Sequence, residues 1–179
     1  MSEAFGISHG GESAEARFRE LTGAKSAPTA SDGDVLLEGY PVEIKRATTS
    51  TLNQVRAVKY IPLVAYYAPE DAWYVVPAHI VVAEAANRSR GQHTEIPFES
   101  ITLNLKRLSA FRVEEGELWV RTLEAIEQGG LYPELRHEMT EVRKRARAVA
   151  QDSVARVHAL LERYQIEVPA GRSRRRMRP

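Results

Sequence analysis

Residues 34–45 read DVLLEGYPVEIK, and their alternation about a central glycine limits the fold more than any other stretch of the chain. Period-two alternation sends successive side chains to opposite faces of a pleated strand. Taking Gly39 and Tyr40 as a two-residue turn puts glycine at the first central position, as a type II′ turn requires. Glu38 then faces Pro41, Leu37 faces Val42, Leu36 faces Glu43, Val35 faces Ile44 and Asp34 faces Lys45. Cross-strand partners share a face. Val35, Leu37, Val42 and Ile44 therefore form an apolar face, while Asp34, Leu36, Glu43 and Lys45 form the other.

The flanking sequence predicts elements that cover this hairpin. ESAEARFRELTGA spaces Ala14, Phe18 and Leu21 along one side of a helix that Gly23 stops. KSAPTASDG reads as a loop. TTSTLNQVRAVKY begins with capping hydroxyls and spaces Leu52, Val55 and Val58 as a short helix. YIPLVAYY and AWYVVPAHIVV, separated by APED, read as two strands, the second ending at Pro77 before a helix through AHIVVAEAAN. The aromatic residues Tyr60, Tyr66, Tyr67, Trp73 and Tyr74 belong to this core. NRSRGQHTEIPFES is a polar loop, and SAFRVEEGELWVRTLEAIEQ supplies a late hairpin or a helix after Gly116. From Pro133 to about Tyr164 an apolar stripe through Leu135, Met139, Val142, Val149, Val154, Val157, Leu161 and Tyr164 predicts one long helix. The expected organisation is a core domain over 1–130, the helix over 131–168, and a basic flexible tail over 169–179.

Of the 179 residues, 43% are hydrophobic and 27% charged, the balance of an ordinary globular chain. With no cysteine, disulfides and thiolate metal sites are excluded, and a reducing, cytoplasmic setting is expected. No apolar run approaches membrane-spanning length, so no membrane partner is expected. The five histidines lack metal-ligand spacing, and no glycine-rich phosphate loop is present, which argues against a nucleotide cofactor.

The polar face of the hairpin carries the chemistry. Asp34 lies opposite Lys45 and diagonal to Glu43, roughly 7–8 Å away between backbones, a gap that two carboxylates can close around a cation. A hard ion such as Mg²⁺ takes one or two carboxylates together with substrate phosphate oxygens. An adjacent lysine can orient or deprotonate a water, or stabilise charge on a phosphorane oxygen. The set suits phosphodiester hydrolysis. The alternative is a solvated hairpin face on which Asp34 and Lys45 are merely a cross-strand ion pair. Leu36 and Ala47 argue for a covered face instead.

Asp34, eight residues, then Glu43-Ile44-Lys45 on a hairpin resembles the PD-(D/E)XK nuclease superfamily, which includes many restriction endonucleases and the archaeal Holliday-junction resolvases. The likeness covers roughly residues 10–80, and Gly33 stands where the family's name has proline. It implies an α/β fold, a restriction-endonuclease-like central mixed sheet flanked by helices, here followed by a helical C-terminal segment. It implies that Asp34 and Glu43 bind Mg²⁺, with Mn²⁺ able to substitute, and that Lys45 assists the water. By the same likeness Glu15, with Glu12 as the alternative, adds a carboxylate from the first helix, and Gln54 adds a polar group from the helix after the motif.

DNA is the expected partner. Arg46, Asn53, Arg56 and Lys59 follow the motif, and Arg172, Arg174, Arg175 and Arg176 give the tail a salt-dependent grip on phosphate, although exposed helix surface and a solubilising tail explain the same residues. Cutting two strands with one metal site per subunit calls for a homodimer. The competing expectation is a DNA-binding or assembly protein that keeps this fold without catalysis.

Overall fold

A computed structural model describes residues 10–29, 33–86, 98–146 and 148 of the chain. The fold below is that of the unit Met1–Arg143. In chain order its elements are helix α1 (Gly10–Thr22), strands β1 (Lys25–Ser26), β2 (Val35–Leu37), β3 (Tyr40–Ala47), β4 (Thr51–Val55), β5 (Leu63–Tyr67) and β6 (Ala72–Val76), helix α2 (Ala78–Ala86), strands β7 (Ile101–Asn104) and β8 (Arg112–Val113), and helix α3 (Leu118–Gly130). A further helix, α4, occupies 133–146. Val149, Val154, Val157, Leu161 and Tyr164 of the expected stripe, the tail arginines 172, 174, 175 and 176, and most of the 87–100 loop lie outside the described residues.

Six strands form a mixed sheet in the order β1-β2-β3-β5-β6-β8, and β4 with β7 forms a second, two-stranded sheet. The parallel pair is β3 with β5; all the other pairings are antiparallel. The alternation read from the sequence sorts the side chains. Val35, Leu37, Val42, Ile44, Val64, Trp73 and Val75 pack with Ala14 and Phe18 of α1 and with Leu118 and Ala125 of α3. On the opposite face Ala47, Leu63, Ala65, Tyr74 and Val76 pack with β4, β7 and α2, and Met139 of α4 closes that core. Helices thus flank the main sheet, and the small sheet covers part of one face. Trp73 and Phe18, at 1% and 0% exposure, anchor the first core; each stabilises by roughly 1.5–3 kcal/mol relative to an exposed ring. Arg17 ties α1 to the β5–β6 turn, 2.7 Å from Asp71 and 5.0 Å above the Tyr66 ring. The expected core aromatics are in place: Tyr60, Trp73 and Tyr74 are buried and Tyr66 and Tyr67 partly so.

Two expectations are corrected. The hairpin turns at Glu38 and Gly39, both at positive φ (49° and 85°), not at Gly39 and Tyr40. Two left-handed central residues make the type I′ turn whose twist matches the flanking strands. Tyr40 joins the strand, and Val35 pairs with Val42, Leu36 with Pro41 and Leu37 with Tyr40. The register moves by two residues, so no side chain changes face. The second correction concerns 51–59: the expected short helix is strand β4 followed by a 3₁₀ turn at Ala57–Lys59. Leu52 pairs with Leu103 and Val55 with Ile101, with the register shifting between them, and Gln54 stands at φ 56° in that irregularity. A bulge in a strand makes buried residues recur at a spacing of three, which imitates a helix.

The stretch from 109 supplies both a strand, β8, and a helix, α3; β8 pairs with β6 rather than forming a local hairpin. The expected loop before the hairpin holds β1, paired with β2. Among the described residues, no helix is long and apolar enough to cross a membrane.

Gly33 turns the chain into β2 at φ +98°, and a Cβ there would stand 2.9 Å from the Val42 carbonyl oxygen. Gly23, at φ +72° after α1, has open space around it. Gly33→Ala should therefore cost roughly 2–3 kcal/mol, combining strained backbone with collision, and Gly23→Ala roughly 1 kcal/mol from backbone conformation alone. Urea unfolding measures both; equal losses would show that the approach to Val42 is not tight.

Candidate active site

The two-residue change of register improves the site. With the β2–β3 ladder ending at Val35 and Val42, the next position sets Asp34 beside Glu43 rather than Lys45. The Asp34 backbone N–H donates to the Val42 carbonyl at 3.0 Å, and the Ile44 N–H donates to Asp34 Oδ2 at 2.7 Å. That second bond fixes the carboxylate against the strand that carries Glu43. Gly33, at positive φ and with its Cα close to the Val42 carbonyl, permits the approach.

Glu43 is buried, at 6% exposure, on the face covered by the small sheet. Its backbone N–H donates to the Pro62 carbonyl at 3.0 Å, locking β3 to the start of β5. Lys45 Nζ lies 3.0 Å from Glu43 Oε1, and Lys59 Nζ lies 2.6 Å from Oε2. The two lysines differ in access: the Lys45 side chain is 30% exposed and that of Lys59 only 5%. Lys59 arrives from the 3₁₀ turn that follows β4 and crosses over this face.

The carboxylates respond in opposite directions. Burial and then the nearby charge of Glu43 push the Asp34 carboxyl above its ordinary range, against the pull of the Ile44 N–H and of Lys45 and Lys59. Burial also pushes Glu43 upward, but hydrogen bonding to Lys59 and the charges of Lys45 and Lys59 outweigh it and leave Glu43 below its ordinary range. One carboxylate is held ionised and the other is strained toward its neutral form.

The other sequence candidates are placed differently. Glu15 is half-buried on α1, the helix that packs on the Val42 and Ile44 face, opposite Glu43 and Lys45. Among the described residues, no group of three or more Asp, Glu or His side chains gathers as a metal-holding cluster, so Glu15 does not complete one with Asp34 and Glu43. Gln54 is exposed in the β4 bulge, not on a helix facing the site. Arg46 is exposed and, by alternation, on the face opposite Lys45. Asn53 is exposed on β4, where its Oδ1 accepts a hydrogen bond from Thr102 Oγ1 at 3.2 Å. Arg56 is engaged with Glu99 at 2.5 Å. Lys59, expected to contact phosphate, is instead the buried partner of Glu43. Its sequence signal was a lysine inside the otherwise apolar AVKYIPLV. A cleft of about 270 Å³ lies elsewhere, among Tyr40, Tyr60, Ile126 and Arg136, and its lining includes none of the four site residues.

Two carboxylates bind a divalent ion adequately when water and a substrate phosphate supply the remaining oxygens. Asp34 and Glu43 fit that demand. Bound there, a divalent cation would relieve the repulsion that drives Asp34 toward protonation, and Lys45 would remain within reach of a water or phosphate oxygen.

The shifts predict opposite pH effects on stability. Asp34 has a folded pKa above its unfolded one, so its charge costs stability that is absent at low pH and incurred as pH rises through the folded pKa. Asp34→Asn should stabilise the protein at pH 7, with the gain fading as pH falls through the carboxylate range. Glu43 has a depressed folded pKa, so its contribution is present above its ordinary pKa and lost as pH falls through the folded value. Glu43→Gln should destabilise at pH 7 and less so in acid. Urea unfolding of both variants across pH checks this, and effects of the same sign would contradict it. In comparison with known proteins, the chain matches no protein-family model and no curated protein, so the chemistry of this site rests on its own residues.

Proposed function

We propose that this chain is a divalent-cation-dependent endonuclease that hydrolyses phosphodiester bonds in DNA, built on a PD-(D/E)XK-type core. The observation that supports this most is Asp34 fixed beside Glu43 by the Ile44 N–H, with Lys45 one step along the same face. The order of elements is consistent with a restriction-endonuclease-like core: a helix, the hairpin that carries the acids and the lysine, then a strand parallel to β3. The departure is that a bulged strand, not a helix, follows the motif.

Asp34 and Glu43 would hold Mg²⁺, or Mn²⁺ in its place. The ion would supply Lewis acidity at the scissile phosphate and a water of lowered pKa, so no nucleophilic side chain is needed. The Ile44 N–H orients Asp34, and Lys59 holds Glu43. Lys45, the more accessible lysine, would position the attacking water and donate to the oxygen on which negative charge grows. Exposed Asn53, together with the tail arginines 172, 174, 175 and 176, would add contacts to the DNA backbone. A homodimer would present two such sites to two strands or to two arms of a junction.

One observation favours a second reading. Each oxygen of Glu43 already meets an ammonium, so Asp34, Glu43, Lys45 and Lys59 balance in charge without an ion, as a structural cluster in a non-catalytic DNA-binding or assembly protein would. Lys45→Met separates the two. Incubation with supercoiled plasmid, linear duplex, single strand and a four-way junction should give Mg²⁺-dependent cuts that EDTA abolishes. Lys45→Met should slow them by about 10²-fold or more while DNA binding persists. Binding of these substrates by the wild type without cleavage of any would favour the non-catalytic reading.

A further inference from the structure

We propose that Lys59 is a tethered counter-cation that competes with the divalent ion for Glu43 and thereby sets the metal affinity of the site. The inference rests on the reading of Asp34 and Glu43 as metal ligands.

The geometry distinguishes the two lysines. Lys45 meets Glu43 Oε1 at 3.0 Å from a side chain that solvent reaches, whereas Lys59 meets Oε2 at 2.6 Å from one that solvent hardly touches. With its side chain only 5% exposed, Lys59 is badly placed to grip a phosphate backbone. Its backbone is pinned on both sides. The Val58 N–H donates to the Phe98 carbonyl, the Lys59 N–H to the Arg56 carbonyl and the Tyr60 N–H to the Ala57 carbonyl, each at 3.1 Å. Ala57 and Val58 are each 2% exposed. The ammonium is therefore expected to leave Glu43 by rotation of its own side chain rather than by movement of this backbone.

A metal–oxygen bond of about 2.1 Å on Oε2 would put the ion roughly 5 Å or less from that ammonium. In a buried setting two cations so close repel strongly. An ion at Oε2 must displace Lys59 Nζ or bind more weakly because of it. Without Lys59 the four-residue set passes from neutral to one net negative charge, and the cost of leaving Glu43 under-compensated is recovered when a cation binds. The coupling is reciprocal: the residue that weakens the ion's hold is the one whose loss makes the fold more dependent on the ion.

The test is calorimetric titration of MnCl₂, without DNA, into the full chain and its Lys59→Met, Lys59→Gln and Glu43→Gln variants, with the melting temperature recorded with and without Mn²⁺. Lys59→Met should bind Mn²⁺ about tenfold more tightly than wild type, and its melting temperature should rise more on adding the ion. A merely structural lysine would lower the melting temperature and leave the Mn²⁺ affinity unchanged. Should Lys59→Met fail to fold, Lys59→Gln, which still donates a hydrogen bond to Oε2, carries the same comparison. Wild-type uptake that Glu43→Gln abolishes but neither Lys59 variant tightens overturns this inference and leaves the metal-site reading standing. No uptake by wild type or by either Lys59 variant overturns both.

Discussion

Glu43 is an acidic side chain buried between the main sheet and the small one, and the surrounding structure is arranged around keeping it charged. A lone buried carboxylate would take up a proton, because desolvation penalises the ion far more than the neutral acid. Two ammonium groups prevent that, one from its own strand and one from a 3₁₀ turn that arrives over the same face. Supplying the second lysine requires β4, its bulge and the turn at Ala57–Lys59, and these require β7 as a pairing partner. A buried ion cluster contributes little to net stability compared with apolar residues of the same volume. On the proposed reading, the cluster is kept for the cation it binds.

The same arrangement explains why Asp34 differs from Glu43 although both are acids on one face. Asp34 accepts a hydrogen bond from the Ile44 N–H and takes the repulsion of its neighbour, while Lys45 and Lys59 act on it through charge. The pair thus consists of one acid held ionised and one pushed toward its neutral form. Burial, two lysines and one backbone bond set that difference.

The faces of the hairpin were legible in the sequence because their alternation survives a slip of two residues; a slip of one would have inverted them. The turn itself was misplaced because Gly39 is equally natural at either central position, and a left-handed Glu38 leaves no mark in composition. The strands at 63–67 and 72–76 were legible from β-branched and aromatic runs. The segment 51–59 was not, because the bulge at Gln54 gave Leu52 and Val55 a helical spacing. β7 does alternate, as Ile101-Thr102-Leu103-Asn104, but nothing local marks β4 as its pairing partner. Of the site, Asp34, Glu43 and Lys45 could be found from local spacing. Lys59 could not, since its part depends on a turn folding back over a strand sixteen residues earlier. Glu15 and Gln54 came from family likeness, and the structure carries Glu15 on the helix of the opposite face and Gln54 on an exposed bulge.

The central claim is that Asp34 and Glu43 together are a binding site for a divalent cation. Crystals equilibrated with Mn²⁺ and measured for anomalous scattering test it most directly. The account predicts a manganese peak within bonding distance of both carboxylates, with Lys59 Nζ drawn away from Glu43 Oε2. A map with no peak at these carboxylates, and both lysines still seated on Glu43, would contradict it.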